Sequence, residues 1–239
     1  MTDDAPGARS EPEARIVRRP FPREILAADT LTAARALLGA RLVRDAFPGL
    51  AGRRVGRIVE VEAYVGLDDR ASHARMGPTD RNRVMFGPPG IAYVYLVYGM
   101  HYCLNVVTDA SGSPAALLVR AVEPVEGVAV MRAAREAATV RRGSRVLDFR
   151  ERSPRSIPDG RLAAGPGLVA AAFGIDRSHT GLDLCDPASP LRLELRQHDQ
   201  PAPDVVTTPR IGIASTGEPW RSVPWRFVVA GSPSLSRRA

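Results

Sequence analysis

The sequence contains no lysine: all 33 of its basic residues are arginines, and the formal net charge at pH 7 is +7. Without a side-chain amine no Schiff base can form with a sugar aldehyde, which excludes the lysine-based route for cutting a DNA strand. Arginine presents a planar fork that binds phosphates and guanine edges, so the charge suits a nucleic acid as partner. A coding bias toward arginine explains the missing lysine equally well, and the chemical exclusion holds under either explanation.

Cysteine is also scarce. The two cysteines, Cys103 and Cys185, lie far apart without a Cys-x-x-Cys motif, and the four histidines show no metal-ligand spacing. The sequence therefore predicts reduced core thiols, no metal site and no cofactor. The N-terminus is acidic and has no apolar signal core, which predicts a cytoplasmic protein.

Charged residues are missing from Val84 to Thr108, a stretch of 25 residues that is long enough for a membrane-spanning helix. Its prolines and glycines would interrupt such a helix. The residues instead alternate in two short runs, Ile91 to Val97 and Tyr102 to Thr108. We therefore expect two strands joined by a tight turn at residues 98–101, and no membrane segment.

Aromatic residues make up only 5% of the chain, but the tyrosines are concentrated in one region. All five lie between Tyr64 and Tyr102, and four of them fall within ten residues, downstream of an acidic run. Alternation along that run puts Glu60, Glu62 and Tyr64 on one face of a strand. Aromatic rings beside a carboxylate are suited to stacking nucleobases next to a general base. Spacing alone does not distinguish Glu60 from Glu62 as that base.

The order of elements favours a single α+β domain with a mainly antiparallel curved sheet, surrounded by helices and bearing a protruding β-hairpin. Flexible tails are expected at residues 1–19 and 233–239, with the domain at 20–232. Asp29 or Thr30 should cap a first helix that ends at Gly39. Further helices are predicted at 125–139 and 165–173, and strands at 41–44, 55–64, 115–121, 191–195, 210–214 and 226–230. The arginine-rich stretch 141–161 is predicted to be an irregular loop that attracts phosphates diffusely.

A series of short blocks occurs in an order that is more specific than any one motif. The blocks are Glu60-Val61-Glu62-Ala63-Tyr64, His73, 81–86 (RNRVMF), 93–100 (YVYLVYGM), 103–106 (CLNV), 118–124 (LVRAVEP), 165–168 (GPGL), 209–213 (PRIGI) and 225–227 (WRF). With them the chain resembles the alkyladenine (3-methyladenine) DNA glycosylase family over roughly residues 20 to 232, apart from an apparent insertion around 153–161. The resemblance implies a monomeric enzyme, acting at the nucleoid, that flips alkylated or deaminated purines out of double-stranded DNA and hydrolyses the N-glycosidic bond.

The resemblance also implies roles for individual residues. Glu62 would activate the attacking water, and Arg120 would hold the water and the carboxylate. Tyr64 on one side, and His73 with Tyr95 on the other, would sandwich the flipped base.

Three further roles follow from the same resemblance. Tyr98 would enter the minor groove and fill the gap left in the base stack, with Met100 nearby. Asn105 would lie at the pocket edge, where the 2-amino group of guanine would clash. Tyr93 and Tyr102 are interpreted as core or sheet residues.

Two other function classes fit parts of the sequence. A catalytically silent reader of distorted DNA could use the same tyrosine hairpin, but the presence of both Glu62 and Arg120 argues against it. A carbohydrate hydrolase could use Glu60 and Glu62 as a carboxylate pair, but such enzymes flank the scissile bond, and two same-face strand positions lie on one side of it.

Overall fold

The computed structural model describes residues 19–46, 52–141 and 157–238, which form one α+β domain. Its four α-helices are α1 (Arg23–Ala27), α2 (Thr30–Leu37), α3 (Val128–Arg141) and α4 (Pro166–Phe173). Its eight strands are β1 (Arg41–Arg44), β2 (Arg54–Val65), β3 (Ala92–Val97), β4 (His101–Val107), β5 (Ala115–Glu126), β6 (Leu191–Glu194), β7 (Val205–Thr208) and β8 (Arg226–Val229). The predicted fold class is confirmed.

The strands form one antiparallel sheet in the order β3-β4-β5-β2-β1-β6, and β8 pairs with both β2 and β7. The long strand β2 is central. Along one edge it pairs with β5, and along the other its residues 54–57 pair with β1 and its residues 60–62 pair with β8. The register with β5 shifts around Glu60, where β2 changes partner. A shift of this kind bends a strand and re-aims its side chains.

Helix α2 shows how local sequence fixes an element. The carboxylate of Asp29 accepts hydrogen bonds from the backbone N–H groups of Leu31 (3.0 Å) and Thr32 (3.2 Å), which confirms the predicted N-cap. The helix buries Ala33, Ala34 and Leu37 in the main hydrophobic core, beneath the sheet strands. This apolar face follows the helical spacing read from the sequence.

The hairpin of β3 and β4 turns at Tyr98 and Gly99, whose φ angles are 51° and 69°. A positive φ is uncommon for a residue other than glycine, so the turn holds Tyr98 in a costly conformation. The backbone N–H of Met100 donates to the carbonyl of Val97 (3.0 Å) and closes the turn. Tyr98 is 86% exposed and Met100 is 52% exposed. The predicted protruding hairpin is confirmed.

Several predicted boundaries are wrong. A strand was expected at residues 210–214, but the strand that forms is β7, which ends at Thr208. Residues 210–214 do not pair as a strand because the side chain of Arg210 binds the carbonyl of Ala63 and the backbone N–H of Ile211 binds Glu62. Strand β5 continues to Glu126 through Pro124, which lies opposite Gly56 at a register shift where a missing N–H is tolerated. Helix α3 therefore begins at Val128, after Gly127, and not at Val125. Helix α1 was not predicted.

The expected N-terminal tail and most of the arginine-rich loop lie outside the described residues, which exclude 1–18 and 142–156. At the other end of the chain, residues 233–239 were expected to be flexible, whereas Ser234 and Leu235 are buried. Leu235 joins the main core because Arg161 binds its carbonyl (2.5 Å) and anchors the segment. Across the residues that the structure describes, every helix is too short or too polar to cross a membrane.

Candidate active site

A cavity of about 540 Å³ opens between the C-terminal part of β2, the β3–β4 hairpin and the loop before β3. Its volume is typical of a small-ligand site. The lining combines aromatic, apolar and cationic side chains. It includes Tyr64, His73, Arg81, Tyr93, Tyr95, Tyr98, Asn105, Arg120 and Ile211.

Glu62 lies fully buried beneath the cavity and accepts three hydrogen bonds. Its Oε2 accepts from the hydroxyl of Tyr64 (3.0 Å) and from Nη1 of Arg120 (3.1 Å), and its Oε1 accepts from the backbone N–H of Ile211 (2.7 Å). All three donor residues line the cavity. A carboxylate has about four lone-pair sites, so this arrangement leaves Glu62 capacity to accept one more donor.

Glu60 is equally buried, but its carboxylate accepts four hydrogen bonds. Its Oε1 accepts from Nε of Arg120 (2.9 Å), Nε of Arg226 (2.8 Å) and Oγ of Ser236 (2.6 Å), and its Oε2 accepts from the backbone N–H of Ser236 (2.6 Å). Burial alone would raise the pKa of Glu60, but the donors from Arg226 and Ser236 and the charge of Arg120 outweigh it and lower that pKa. Glu60 is therefore held as an ionised acceptor, and of its three donor residues only Arg120 lines the cavity.

Arg120 joins the two carboxylates, because its planar guanidinium binds Glu60 through Nε and Glu62 through Nη1. The arginine is only 7% exposed. Burial opposes its charge, but Glu62 and Glu60 outweigh this and raise the pKa of Arg120. Together with Arg226, the two glutamates and two arginines form a cluster without net charge, which is how buried ions are accommodated.

The predicted aromatic residues do meet around the cavity. The rings of His73 and Tyr95 are 4.4 Å apart at 76°, and those of Tyr93 and Tyr95 are 5.5 Å apart at 33°. Tyr64 lines the same cavity from β2. Burial first, and then the negative charge of Glu62, raise the pKa of Tyr64, so its hydroxyl stays protonated and can donate.

His73 lies at the cavity mouth, where Nδ1 is 3.1 Å from the hydroxyl of Tyr93. The carbonyl of His73 accepts from Nδ2 of Asn82 (2.8 Å), which holds this loop in place. Desolvation, with a contribution from Arg81, lowers the pKa of His73 from 6.5 to about 4. The imidazole is therefore neutral near pH 7.

Tyr93 was interpreted as a core or sheet residue, and it is 2% exposed, but its hydroxyl also supports His73. Its backbone carbonyl accepts from Nδ2 of Asn105 (3.0 Å), the buried amide on the neighbouring strand. Asn105 itself is 4% exposed and lines the cavity as expected. Only the strand pairing of Tyr93 with Asn105 could have revealed this connection from sequence.

Sequence reasoning missed a buried ion pair behind Tyr64. Arg210 binds both carboxylate oxygens of Asp69 (2.6 and 2.9 Å), and both side chains are 0% exposed. The guanidinium of Arg210 lies 4.7 Å from the centroid of the Tyr64 ring, while its Nη1 donates to the carbonyl of Ala63 (2.8 Å). The pair fixes the segment that offers the N–H of Ile211 to Glu62.

Arg81 also lines the cavity, with its guanidinium 5.4 Å from the centroid of the Tyr95 ring. Tyr98 reaches the cavity from the hairpin turn, while Met100 lies two residues further along that turn and outside the lining. Among the residues that the structure describes, no group of three or more His, Cys, Asp or Glu side chains could hold a metal ion.

Comparison with known proteins identifies the family of this chain. The family model for methylpurine-DNA glycosylase matches residues 24–233. A protein of Methanocella arvoryzae is 44% identical over 220 residues, which cover 92% of this chain and 96% of that protein. A protein of Anaeromyxobacter dehalogenans is 44% identical over 224 residues, covering 92% and 87%, and one of Myxococcus xanthus is 42% identical over 219 residues, covering 91% and 93%.

Each of these three relatives carries the name "Putative 3-methyladenine DNA glycosylase". The matched segment contains β2, the hairpin and β5, which carry the cavity. The resemblance seen in the sequence is thereby confirmed. The chain belongs to the methylpurine-DNA glycosylase family, and it is a DNA repair hydrolase that acts on N-glycosyl bonds.

Proposed function

We propose that this protein is a monofunctional DNA glycosylase that flips alkylated or deaminated purines out of duplex DNA and releases them with a water activated by Glu62. One observation carries the proposal. All three donor residues of Glu62 line the cavity, and that carboxylate is able to accept a further donor. Of the three donor residues of Glu60, only Arg120 lines the cavity. This contrast favours Glu62, of the two carboxylates left open by strand spacing, as the group that binds the water.

The reaction suits this arrangement. As the bond between C1′ and the purine nitrogen breaks, the purine takes the bonding electrons and positive charge develops on the sugar. An ionised Glu62 stabilises that charge, and it accepts the proton of the water whose oxygen bonds to C1′. Arg120 holds Glu62 in place through Nη1. A cationic alkylated purine leaves as the neutral base, whereas a neutral deaminated purine leaves as an anion that takes up the proton released from the water. The other product is an abasic site.

The aromatic walls supply base binding. Extruding a base costs a few kcal/mol, and stacking contributes about 1–3 kcal/mol for each aromatic contact. Tyr64, His73 and Tyr95 can offset much of the cost between them. A methylated purine cation is both a better leaving group and a better partner for electron-rich rings, which favours damaged over normal bases. Asn105 at the cavity wall would oppose the 2-amino group of guanine.

The exposed hairpin tip is the proposed point of entry into DNA. Tyr98 is an apolar ring held in solvent at a strained turn, and Met100 is exposed beside it. Exposed apolar side chains at a tip favour insertion into a partner. In the minor groove Tyr98 would fill the space that the extruded base leaves in the stack. The enzyme is proposed to act as a monomer.

Duplexes that each carry 3-methyladenine, 7-methylguanine, hypoxanthine or ethenoadenine test the proposal. We expect free base to be released from at least one of these duplexes, and the strand to remain intact until alkali is added, because no lysine is present to cleave it. Activity should persist in EDTA. Strand scission before alkali, loss of activity in EDTA, or lesion binding without release of any base would each overturn the proposal, and the last outcome would favour a damage reader.

A further inference from the structure

Residues 234–236, which we call the C-terminal clasp, follow the segment matched to the family and return to the buried carboxylates. Ser234 and Leu235 are buried, which anchors the clasp in the core. Ser236 then offers two donors to Glu60, its hydroxyl and its backbone N–H, each at 2.6 Å. These contacts join residues 176 positions apart in the chain.

Glu60 is connected to the proposed base Glu62 through one residue, Arg120. Its carboxylate touches Arg120 but does not line the cavity. A guanidinium is planar and rigid, so the position of Nε, held by Glu60, determines where Nη1 points. Nη1 is the group that binds Glu62. The oxygen of Glu60 that receives Nε is itself held by Oγ of Ser236, and Nη2 of Arg120 also donates to that hydroxyl (3.4 Å).

We infer that Ser236 is a positioning residue for base release: by binding Glu60 and Arg120, it aligns the guanidinium that holds Glu62. This role rests on the proposed function of Glu62. Without the hydroxyl of Ser236, Oε1 of Glu60 keeps only its arginine donors and Nη2 of Arg120 loses its acceptor, so Arg120 is oriented less firmly even though the backbone N–H of residue 236 still binds Oε2. Substrate binding is unaffected, because Ser236 lies behind the carboxylates and outside the cavity lining.

Single-turnover base release by Ser236→Ala tests the inference, with the melting temperature and the affinity for lesion duplex measured in parallel. We expect the rate to fall by about tenfold, as is typical when hydrogen bonds to ionised groups are removed. The affinity should stay unchanged. Ser236→Thr keeps both donors and should restore most of the rate. An affinity loss that matches the rate loss, or a failure of Thr to rescue, would overturn the inference.

Two variants serve as matched controls. Ser222→Ala removes a hydroxyl that donates to the exposed carboxylate of Glu218 (2.8 Å) and should leave the rate unchanged. Deletion of residues 238–239 keeps Ser236 and also keeps the carbonyl of Arg237, which accepts from Arg226 (2.6 Å). The shortened protein should therefore match the full chain. A rate loss in this deletion equal to that of Ser236→Ala would assign the effect to the chain end and contradict the inference.

A double-mutant cycle with Glu60→Gln separates positioning from general packing. If Ser236 acts through Glu60, adding Ser236→Ala to Glu60→Gln should lower the rate by less than about twofold. If the rate losses of the two single variants multiply in the double variant, as independent effects do, the inference is refuted. The two proposals fail differently: an active Glu62→Gln variant would overturn the proposed function, whereas an inactive one beside a fully active Ser236→Ala would overturn only the role of Ser236.

Discussion

The hydroxyl of Tyr64 donates a 3.0 Å hydrogen bond to Oε2 of Glu62, two residues earlier on the same strand. Alternation along β2 brings these side chains to one face. Tyr64 thus belongs to both halves of the proposed site, since its ring lines the cavity and its hydroxyl holds the carboxylate. A base stacked on this ring would therefore contact the same residue whose hydroxyl orients Glu62.

Tyr64→Phe should separate the stacking role of the ring from the hydrogen bond that the hydroxyl donates to Glu62. Phenylalanine keeps the stacking ring and removes the donor, so we expect lesion affinity to be retained while the single-turnover rate falls by about tenfold. Tyr64→Leu, which removes the ring as well, should lose affinity too. Equal effects of the two substitutions on both quantities would show that the hydroxyl has no separate role.

Glu62→Gln should retain lesion binding and lose at least about 10²-fold in single-turnover rate, since removal of a general base typically has that effect. Glu60→Gln should lose much less, because Glu60 acts on Glu62 only through Arg120, whereas Glu62 also binds Tyr64 and Ile211 of the cavity lining. Quenched-flow release of free base from a hypoxanthine duplex measures both variants. A Glu60→Gln variant as inactive as Glu62→Gln would reverse the assignment of the base.

Tyr98→Ala should impair flipping and leave bond cleavage intact. Filling the vacated stack stabilises the extruded state, so we expect a shift of about 1–3 kcal/mol in the flipping equilibrium. The defect should shrink when the lesion faces a mismatch, because such a base leaves the helix more easily.

Tyr95→Ala is the matched comparison for Tyr98→Ala. Tyr95 lies three residues before Tyr98, on strand β3, and its side chain lines the cavity. It meets the base only after extrusion, so its loss should lower the rate alike in matched and mismatched duplexes. Single-turnover rates at subsaturating enzyme distinguish the two variants. Equal losses for Tyr98→Ala in all contexts would leave Tyr98 as an ordinary turn residue.

Asp69→Ala should lower the free energy of unfolding by roughly 3–5 kcal/mol, because it leaves the guanidinium of Arg210 buried without its partner. Urea denaturation measures the change. Asp80→Ala is the matched control: it breaks an ion pair with Arg83 in which both side chains are largely exposed, and it should change little. A stability loss in Asp80→Ala as large as that in Asp69→Ala would contradict the assignment of burial as the cause.

His73 should make stability depend shallowly on acid pH, because the residue is exposed and solvent weakens the desolvation. Its folded-state pKa is about 4, below the ordinary 6.5, so between these values the unfolded chain binds a proton that the folded chain does not. The contribution of neutral His73 is present above about pH 6.5 and is lost as the pH falls toward 4. Denaturation at a series of pH values should show this slope, and His73→Phe should reduce it. An unchanged slope in that variant would assign the dependence to other groups.

Local pattern predicted much of this fold. The N-cap Asp29, the hydrophobic spacing of α2, the alternation in β2 and the turn at Tyr98 each depend on residues close in sequence. The same holds for the face shared by Glu60, Glu62 and Tyr64. Short-range physics determines these features, so they can be predicted from a single chain.

The distinction between the two glutamates could not be predicted in this way. It depends on Arg226 and Ser236, which lie 166 and 176 positions from Glu60 and approach it only in the folded chain. The error at 210–214 has the same origin, since the N–H of Ile211 binds Glu62 and no neighbouring strand. The resemblance to a family selected Glu62 as the candidate base but gave no physical reason for the choice, and the assignment stays a prediction.

The β3–β4 hairpin lies at the edge of the sheet, and β5 separates it from the strand that carries Glu62. Substitutions at its tip therefore leave the packing around the carboxylates untouched. We expect substitutions at Tyr98 and Met100 to be selected independently of substitutions around Glu62. Libraries restricted to residues 98–100 should accordingly yield enzymes that probe DNA differently while keeping the same chemistry, which makes the hairpin the natural starting point for laboratory evolution of lesion range.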